Sequence, residues 1–353
     1  MSNKQDKPQS VFRRRWRRFR SMKRGWYSFI ALIVFYLISL AAPLLINNRA
    51  LIVSHEGELH FPAISGYIAA EDFGQLTIGE TEYRQLQRSW EEEGSENWLM
   101  MPLYPYHPNE SLLLEPGLEG RPPHAPSTTH WMGTDNRGRD VFARLVYGFQ
   151  ISITFGLGVV GLSYLLGMIV GQILGYFGGR TDIYGQRLVE IWSGLPFLYT
   201  VIIISAITTP SVLLLVLILA VFRWMGISFY MRGEFYREKS RDYVAAAIAQ
   251  GDSHRSIIFR HILPNSLTPV ISFAPFALVG AISSLVSLDF LGFGLPAPTA
   301  SWGELVGQGL ENIHKWHLVV FPLGALFFTL MMVVFIGEAI REAFDPKVFS
   351  RLR

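Results

Sequence analysis

Long apolar runs separated by charged segments dominate this chain of 353 residues. Residues 27–46 carry no charge over twenty positions, enough for a helix to cross a hydrocarbon core about 30 Å thick. Similar runs predict further spans at 151–177, 183–207, 212–231, 270–288 and 317–340, six in all. In the second, Gly167, Gly171 and Gly175 recur every four residues, a spacing that lets helices approach closely in lipid. Pro196 is expected to kink the third span, and Pro275 lies within the fifth.

The polar segments orient these spans. Residues 1–24 hold ten Lys or Arg against one acid, Asp6, with Phe12, Trp16 and Phe19 on one helical face. A basic helix with an aromatic stripe is expected to lie on an anionic lipid surface. Nucleic acid is the other partner such a patch suits, but the span that follows directly argues against it. Ser39-Leu40-Ala41 would suit signal-peptide cleavage, yet the apolar run is too long and more spans follow, so an uncleaved anchor is expected.

Residues 47–148 contain no lysine, more acids than arginines, an acidic patch at Glu91, Glu92, Glu93 and Glu96, and a proline-rich stretch over 102–126. They read as a loop-rich insertion with little core. The positive-inside rule puts the N-terminus in the cytoplasm and this insertion outside. Six crossings then return Arg341, Lys347, Arg351 and Arg353 to the cytoplasm, along with a loop over 233–264 that holds Arg237, Lys239, Arg241, Arg255 and Arg260. The expected organisation is a basic segment (1–26), a first span (27–46), the insertion (47–148), a five-helix membrane domain (149–341) and a tail (342–353).

Composition agrees. Half of the residues are hydrophobic and 17% are charged, too apolar for an ordinary soluble domain. Without cysteine there are no disulfides, no thiolate catalysis and no cysteine-ligated metal. No G-x-x-x-x-G-K-[ST] stretch is present, so the chain does not cradle ATP phosphates itself. His-Glu-x-x-His and EF-hand patterns are also missing, and His55, His60, His107, His124 and His130 lack ligand spacing. An intramembrane serine protease would need a Gly-x-Ser-Gly pattern and a facing histidine, whereas Ser193-Gly194 follows Trp192 and His317 sits at a span end.

Ionisable groups inside spans are costly and mark polar paths or helix contacts. Arg187 and Glu190, three apart, are expected to pair, or else to line a path. Arg223 has no partner in its own span and is left to snorkel, to meet Glu190 or to meet a second subunit. Glu338 and Arg341 read as an interfacial pair, and Asp289 as a cap of the fifth span. An ion- or proton-coupled carrier using Arg187, Glu190 and Arg223 is the competing functional class, although the inverted repeats usual in such carriers are not visible.

The organising stretch is 242–264, DYVAAAIAQGDSHRSIIFRHILP. Ala245, Ala246, Ala247, Ile248 and Ala249 favour a helix, and Gly251 is expected to end it at φ > 0. Asp252 or Ser253 should cap a second short helix, which Pro264 should stop. Two short helices about a glycine make a stiff knob suited to another protein's cleft.

Ala246-Ala247, Gly251 and Leu263-Pro264 resemble the signature loop of ABC-importer permeases, with Ala245 standing for that family's glutamate and His261 for its isoleucine. Gly133-Thr134-Asp135, Gly138-Arg139-Asp140 with Arg144, Tyr147 and Gly148, then Phe290-Leu291-Gly292-Phe293-Gly294 with Ser301 and Gly303, and Phe344-Asp345-Pro346 resemble the dipeptide/oligopeptide branch, over roughly 130–346. With the long insertion, the chain is most similar to microcin C-type permeases.

The resemblance implies an all-α polytopic membrane protein: six helices of the type I ABC importer permease fold, with a periplasmic insertion after the first. It implies a transport subunit of the bacterial inner membrane that is no enzyme itself, importing peptides or peptide-like compounds. Its implied partners are a sister permease in a heterodimer, two ATPase domains (separate or fused) that bind ATP and Mg, and a periplasmic substrate-binding protein. Arg241, Asp242, Ala245, Ala246, Ala247, Gly251, Asp252, Ser253, Leu263 and Pro264 are the implied ATPase-coupling residues.

Overall fold

The computed structural model describes residues 11–344 apart from 114 and 119. Asp345-Pro346 and the basic residues Lys347, Arg351 and Arg353 lie outside the described residues, as do residues 1–10. The first two helices, α1 (Val11–Ser21) and α2 (Lys23–Leu40), meet at Met22. Phe19 is buried with Trp26 and Phe29 against Ile336, Ala339 and Ala343 of the last helix, whereas Trp16 stays exposed. The aromatic stripe is thus divided, with Phe19 packed on the last helix and Trp16 left on the outside.

A short helix, α3 (Ala42–Leu45), completes the first span. The insertion then forms β1 (Ile52–His55), β2 (Glu58–His60), α4 (Pro62–Ser65), a 3₁₀ turn (Ala70–Phe73), α5 (Tyr83–Glu93) and β3 (Trp98–Met100). The strands make an antiparallel sheet in the order β2-β1-β3, with Val53 opposite both His60 and Leu99. Ala50, Val53, Phe73, Tyr83, Leu86 and Trp90 pack beneath it. The insertion therefore has a core of its own, contrary to the reading from composition. Strands of three and four residues are too short to announce themselves by alternation.

Arg84 fastens α5 to the proline-rich stretch through Glu110 at 2.7 Å and Glu115 at 2.8 Å, and Arg88 reaches Glu115 at 2.8 Å. Burial alone would raise the Glu115 carboxyl, but the two guanidiniums outweigh it and hold it below the ordinary carboxylate value. A depressed folded-state pKa stabilises the folded form above the unfolded value, and this is lost as pH falls through the folded one. Glu115→Gln is expected to cost the insertion about 1.5–3 kcal/mol near neutral pH, with the gap to wild type closing as pH falls below about 4. Limited proteolysis of the insertion across that pH range measures both.

Asp140 caps α6 (Val141–Phe177), accepting from the Ala143 amide at 2.9 Å. This helix begins within the segment assigned by composition to the insertion, so Gly148 lies inside it, against Trp302. Its 37 residues rise about 55 Å, more than the hydrocarbon thickness, so part of it lies outside the apolar layer. Next come α7 (Gly179–Ser193) and α8 (Phe197–Ile207), bent by 66° where Pro196 interrupts the backbone ladder. Then follow α9 (Val212–Lys239), α10 (Asp242–Ala249), α11 (His254–Ser256), a π-helical turn (Ile257–Ile262), α12 (Leu263–Phe290), α13 (Trp302–Glu311) and α14 (His317–Phe344). Five helical stretches of the described residues are long and apolar enough to cross a membrane, and α7 with α8 makes a sixth if the bent pair is one span.

Two apolar clusters hold the bundle around α6. One joins Leu145, Phe149 and Ile153 to Ile282, Trp302, Leu305 and Val333. The other joins Phe155 and Val159 to Val201, Leu215, Leu219 and Leu285. Gly167, Gly171 and Gly175 lie directly against the α9 backbone, as their spacing predicts.

Candidate functional site

Between α9 and α12 the chain makes a closed elbow. The helix α10 ends in a Schellman turn: the Asp252 amide donates to the Ala247 carbonyl at 3.1 Å and the Gly251 amide to the Ile248 carbonyl at 3.0 Å. Gly251 holds φ +83° there, as expected of it, with open space around it. Ser253 takes the cap, accepting from the Ser256 amide at 3.3 Å. Asp252 instead accepts from His261 Nε2 at 2.8 Å, a pair nine residues apart that bolts the two arms together. His261, a departure from the signature loop, thus has a structural task that the sequence reading missed.

Pro264 does not stop the second arm. The helix that starts at His254 runs on as the fifth span to Phe290. A proline ring clashes with the carbonyl four residues back, and the wider π turn at Ile257–Ile262 displaces that carbonyl. Leu263 and Pro264 are therefore the first residues of α12.

The elbow's outward surface presents three alanines beside the larger Tyr243 and Ile248. Arg241, Asp242, Ala245, Ala246, Ile248 and Ala249 are exposed, whereas Val244 and Ala247, three apart, face inward. Ala247 is only 5% exposed, so its side chain packs inside the elbow. Val244 packs with Tyr176 of α6, Met231 and Phe235 of α9, Ile257 and Ile262 of the π turn and Val270 of α12.

Polar contacts brace the same junction. Tyr176 Oη meets His254 Nδ1 at 2.6 Å, and Lys239 Nζ donates to the Tyr176 carbonyl at 2.5 Å. Arg232 grips Asp182 at 2.5 and 2.6 Å, and the Tyr236 hydroxyl adds a bond at 2.6 Å. The Tyr243 hydroxyl donates to buried Glu238 at 2.9 Å. Burial, then that carboxylate, pushes the Tyr243 hydroxyl above its ordinary value, so it stays a donor. These contacts tie the elbow and the end of α9 to α6 and α7.

At the other end of α6 lies a buried polar network. Arg139 bonds Asp135 at 2.7 Å and Glu304 at 2.9 Å. Arg144 reaches Glu304 at 2.5 Å and the carbonyls of Pro108, Pro298 and Thr299 at 3.0–3.2 Å. Asp140 accepts from Tyr104 at 2.7 Å and meets His130 at 2.9 Å. Asp289 is more than a helix cap, accepting from the Leu295 amide at 2.7 Å and Ser301 at 2.6 Å to fold the connection beyond α12. Insertion, α6 and α13 are joined as one unit.

The intramembrane charges do not form one ion site. Arg187 and Glu190 pair at 2.6 Å on the exposed side of α7. Among the described residues Arg223 does not meet Glu190. It donates to the Gly280 carbonyl at 2.8 Å and to Ser284 at 2.6 Å, stapling α9 to α12 where Gly280 has no side chain to obstruct it. Glu338 and Arg341 do not pair among the described residues; Arg18 reaches Glu342 at 3.2 Å instead. Nor do the described residues hold a metal-binding cluster of three or more His, Asp or Glu.

Residues 163–350 match the model of a family described as "Binding-protein-dependent transport system inner membrane component". The chain is 38% identical over 335 residues to the inner membrane ABC transporter permease protein YejE of Escherichia coli, covering 94% of this chain and 96% of that one. It is 36% identical over 356 residues to the peptidoglycan transport system permease protein YejE of Agrobacterium fabrum, covering 95% and 93%. The dipeptide transport system permease protein DppC of Bacillus subtilis is 37% identical over 228 residues, covering 63% and 70%. A solved chain of the MetNI methionine ABC transporter, inward facing, aligns with a TM-score of 0.46 at 15% identity, over 57% of this chain and 96% of that one.

Proposed function

The chain belongs to the family of binding-protein-dependent transport system inner membrane components, and on that premise we propose that it is the permease subunit of an ATP-driven importer for peptides or peptide-like compounds, microcin C-like ones included. Relatives named for dipeptide and peptidoglycan transport have peptide-bearing cargo in common, which supports the substrate class. The observation that carries the mechanism is the elbow: a Schellman-closed turn whose outward face bears Ala245, Ala246 and Ala249, fastened to three spanning helices.

In this reading the elbow and both termini are cytoplasmic and the insertion is periplasmic. A sister permease forms the other half of the path, and a binding protein delivers cargo to the outer side. ATPase subunits, separate or fused, bind ATP and Mg²⁺ and seat α10 in a cleft. Their closure on ATP moves α10, and the braces at Tyr176, Asp182 and Glu238 carry that motion into the bundle.

Purification and reconstitution test this. The expected result is copurification with ATPase subunits, and ATP-stimulated peptide uptake that needs the binding protein. Gradient-driven flux by this chain alone, without nucleotide, would be the opposite result.

A further inference from the structure

The small sheet in the insertion has a second face. Val53, His55, His60 and Leu99 point inward, with Phe73 and Trp90 beneath them. The pleat therefore turns Ile52, Ser54, Leu59, Trp98 and Met100 outward, in register across the three strands. An antiparallel sheet with one face on a core normally shows polar side chains to water on the other. Here Leu59 is 58% exposed, Trp98 51% and Met100 45%, and Phe61, next along from β2, is 45% exposed. Ser54 is the one polar side chain among the five. A contiguous exposed apolar face marks an interaction site.

Its surroundings select the occupant. Residues 47–148 carry fifteen acids, seven arginines and no lysine. Glu56 and Glu58 stand at the β1–β2 turn, Glu96 two residues before Trp98, and Glu91, Glu92 and Glu93 at the end of α5, all exposed. A surface that settles on lipid is apolar with a basic rim, the opposite sign. A second copy of the same acidic face would repel it. A permanent subunit contact buries about 2,000 Å² or more of mostly apolar surface, which five side chains among acids do not supply. What fits is a protein that docks and leaves, with an apolar anchor ringed by Lys and Arg.

We propose that the outward sheet face, centred on Leu59, Trp98 and Met100, is the docking surface for the importer's substrate-binding protein. This rests on the importer reading above. The acids at Glu91–Glu93 and Glu96 steer the encounter, and the apolar side chains hold it.

The test uses the reconstituted importer and its purified binding protein. Leu59→Ser with Trp98→Ser and Met100→Ser changes only outward side chains, so unaltered protease resistance of the insertion is expected. Affinity for the binding protein should fall about tenfold or more, as for loss of a central anchor. Glu91→Lys with Glu96→Lys should slow association severalfold and flatten its salt dependence. The chain has no cysteine, so Ser54→Cys places a single thiol at the centre of the face for a fluorescent label. The label should become shielded only when binding protein is added. Unchanged affinity in the serine variant overturns the proposal. So does quenching of the label by nitroxide phospholipid before addition, which would put the face on the bilayer, or shielding by the sister permease in the resting complex. If the wild-type complex neither binds the binding protein nor responds to it, the importer reading itself fails.

Discussion

Gly171→Leu is expected to remove this protein from the membrane as a folded subunit. A Cβ at Gly171 would stand 2.5 Å from the Ser228 carbonyl oxygen and 2.7 Å from Met231 Cβ. Gly175 is equally close to α9, with a Cβ 2.6 Å from the Arg232 carbonyl oxygen. The obstructing atoms include backbone, which cannot rotate aside, so α6 and α9 would have to part along the most extensive helix–helix contact in the bundle. Packing in lipid rests on such close approach, since burial from water no longer favours association there. Overpacking a tight core costs about 1–3 kcal/mol when side chains can adjust. A leucine against backbone should reach the top of that range, about a hundredfold in the folded fraction. The abundance of folded complex in detergent, by fluorescence size-exclusion, measures it. Gly161→Leu on the same helix is the control, because Gly161 has open space around it and should be tolerated.

The glycine stripe could be read in advance because it is a spacing, and helix geometry turns spacing into a face. The same holds for Gly251, where turn chemistry is local: a helix-forming run, a glycine, then a capping serine leave few other conformations. The membrane spans were legible from length and apolarity alone. What eluded the sequence is what distant residues decide. Nothing near Arg223 points to the Gly280 carbonyl, which is free to accept only after α9 and α12 have packed. The partnership of Asp252 with His261 exists only across a closed turn.

Pro264 fails as a stop signal for a different reason. The rule that proline ends a helix assumes regular i to i−4 bonding, and one π turn upstream removes the clash the rule depends on. The insertion's core was hidden by brevity, as its strands supply only ten residues in three pieces, the last of them almost forty residues beyond the first two. Acidic and proline-rich composition described its surface correctly and its interior not at all.

At the elbow, position decides between two kinds of failure. Ala246→Arg should leave the protein folded and inserted, because Ala246 faces outward and its new side chain meets only solvent in the isolated subunit. In the ATPase cleft proposed for α10, the same arginine should cost about 2 kcal/mol or more, roughly thirtyfold in docking affinity. Peptide uptake should fall at least tenfold at unchanged subunit abundance, while ATP hydrolysis by the complex loses its response to binding protein. Gly251→Asp should give the same uncoupling by another route. A side chain at φ +83° is strained by about 1–2 kcal/mol although nothing obstructs it, so the Schellman turn opens and α10 loses its angle to α12. Ala247→Arg is expected to differ from both: it buries a charge among the elbow's own packing and should lower subunit abundance before transport is ever tested. Normal uptake by Ala246→Arg would mean that α10 does not sit in the cleft at all, whatever becomes of the other two variants. Loss of uptake in all three, with abundance reduced only for Ala247→Arg, is the pattern that a force-bearing elbow with one inward and one outward face must produce.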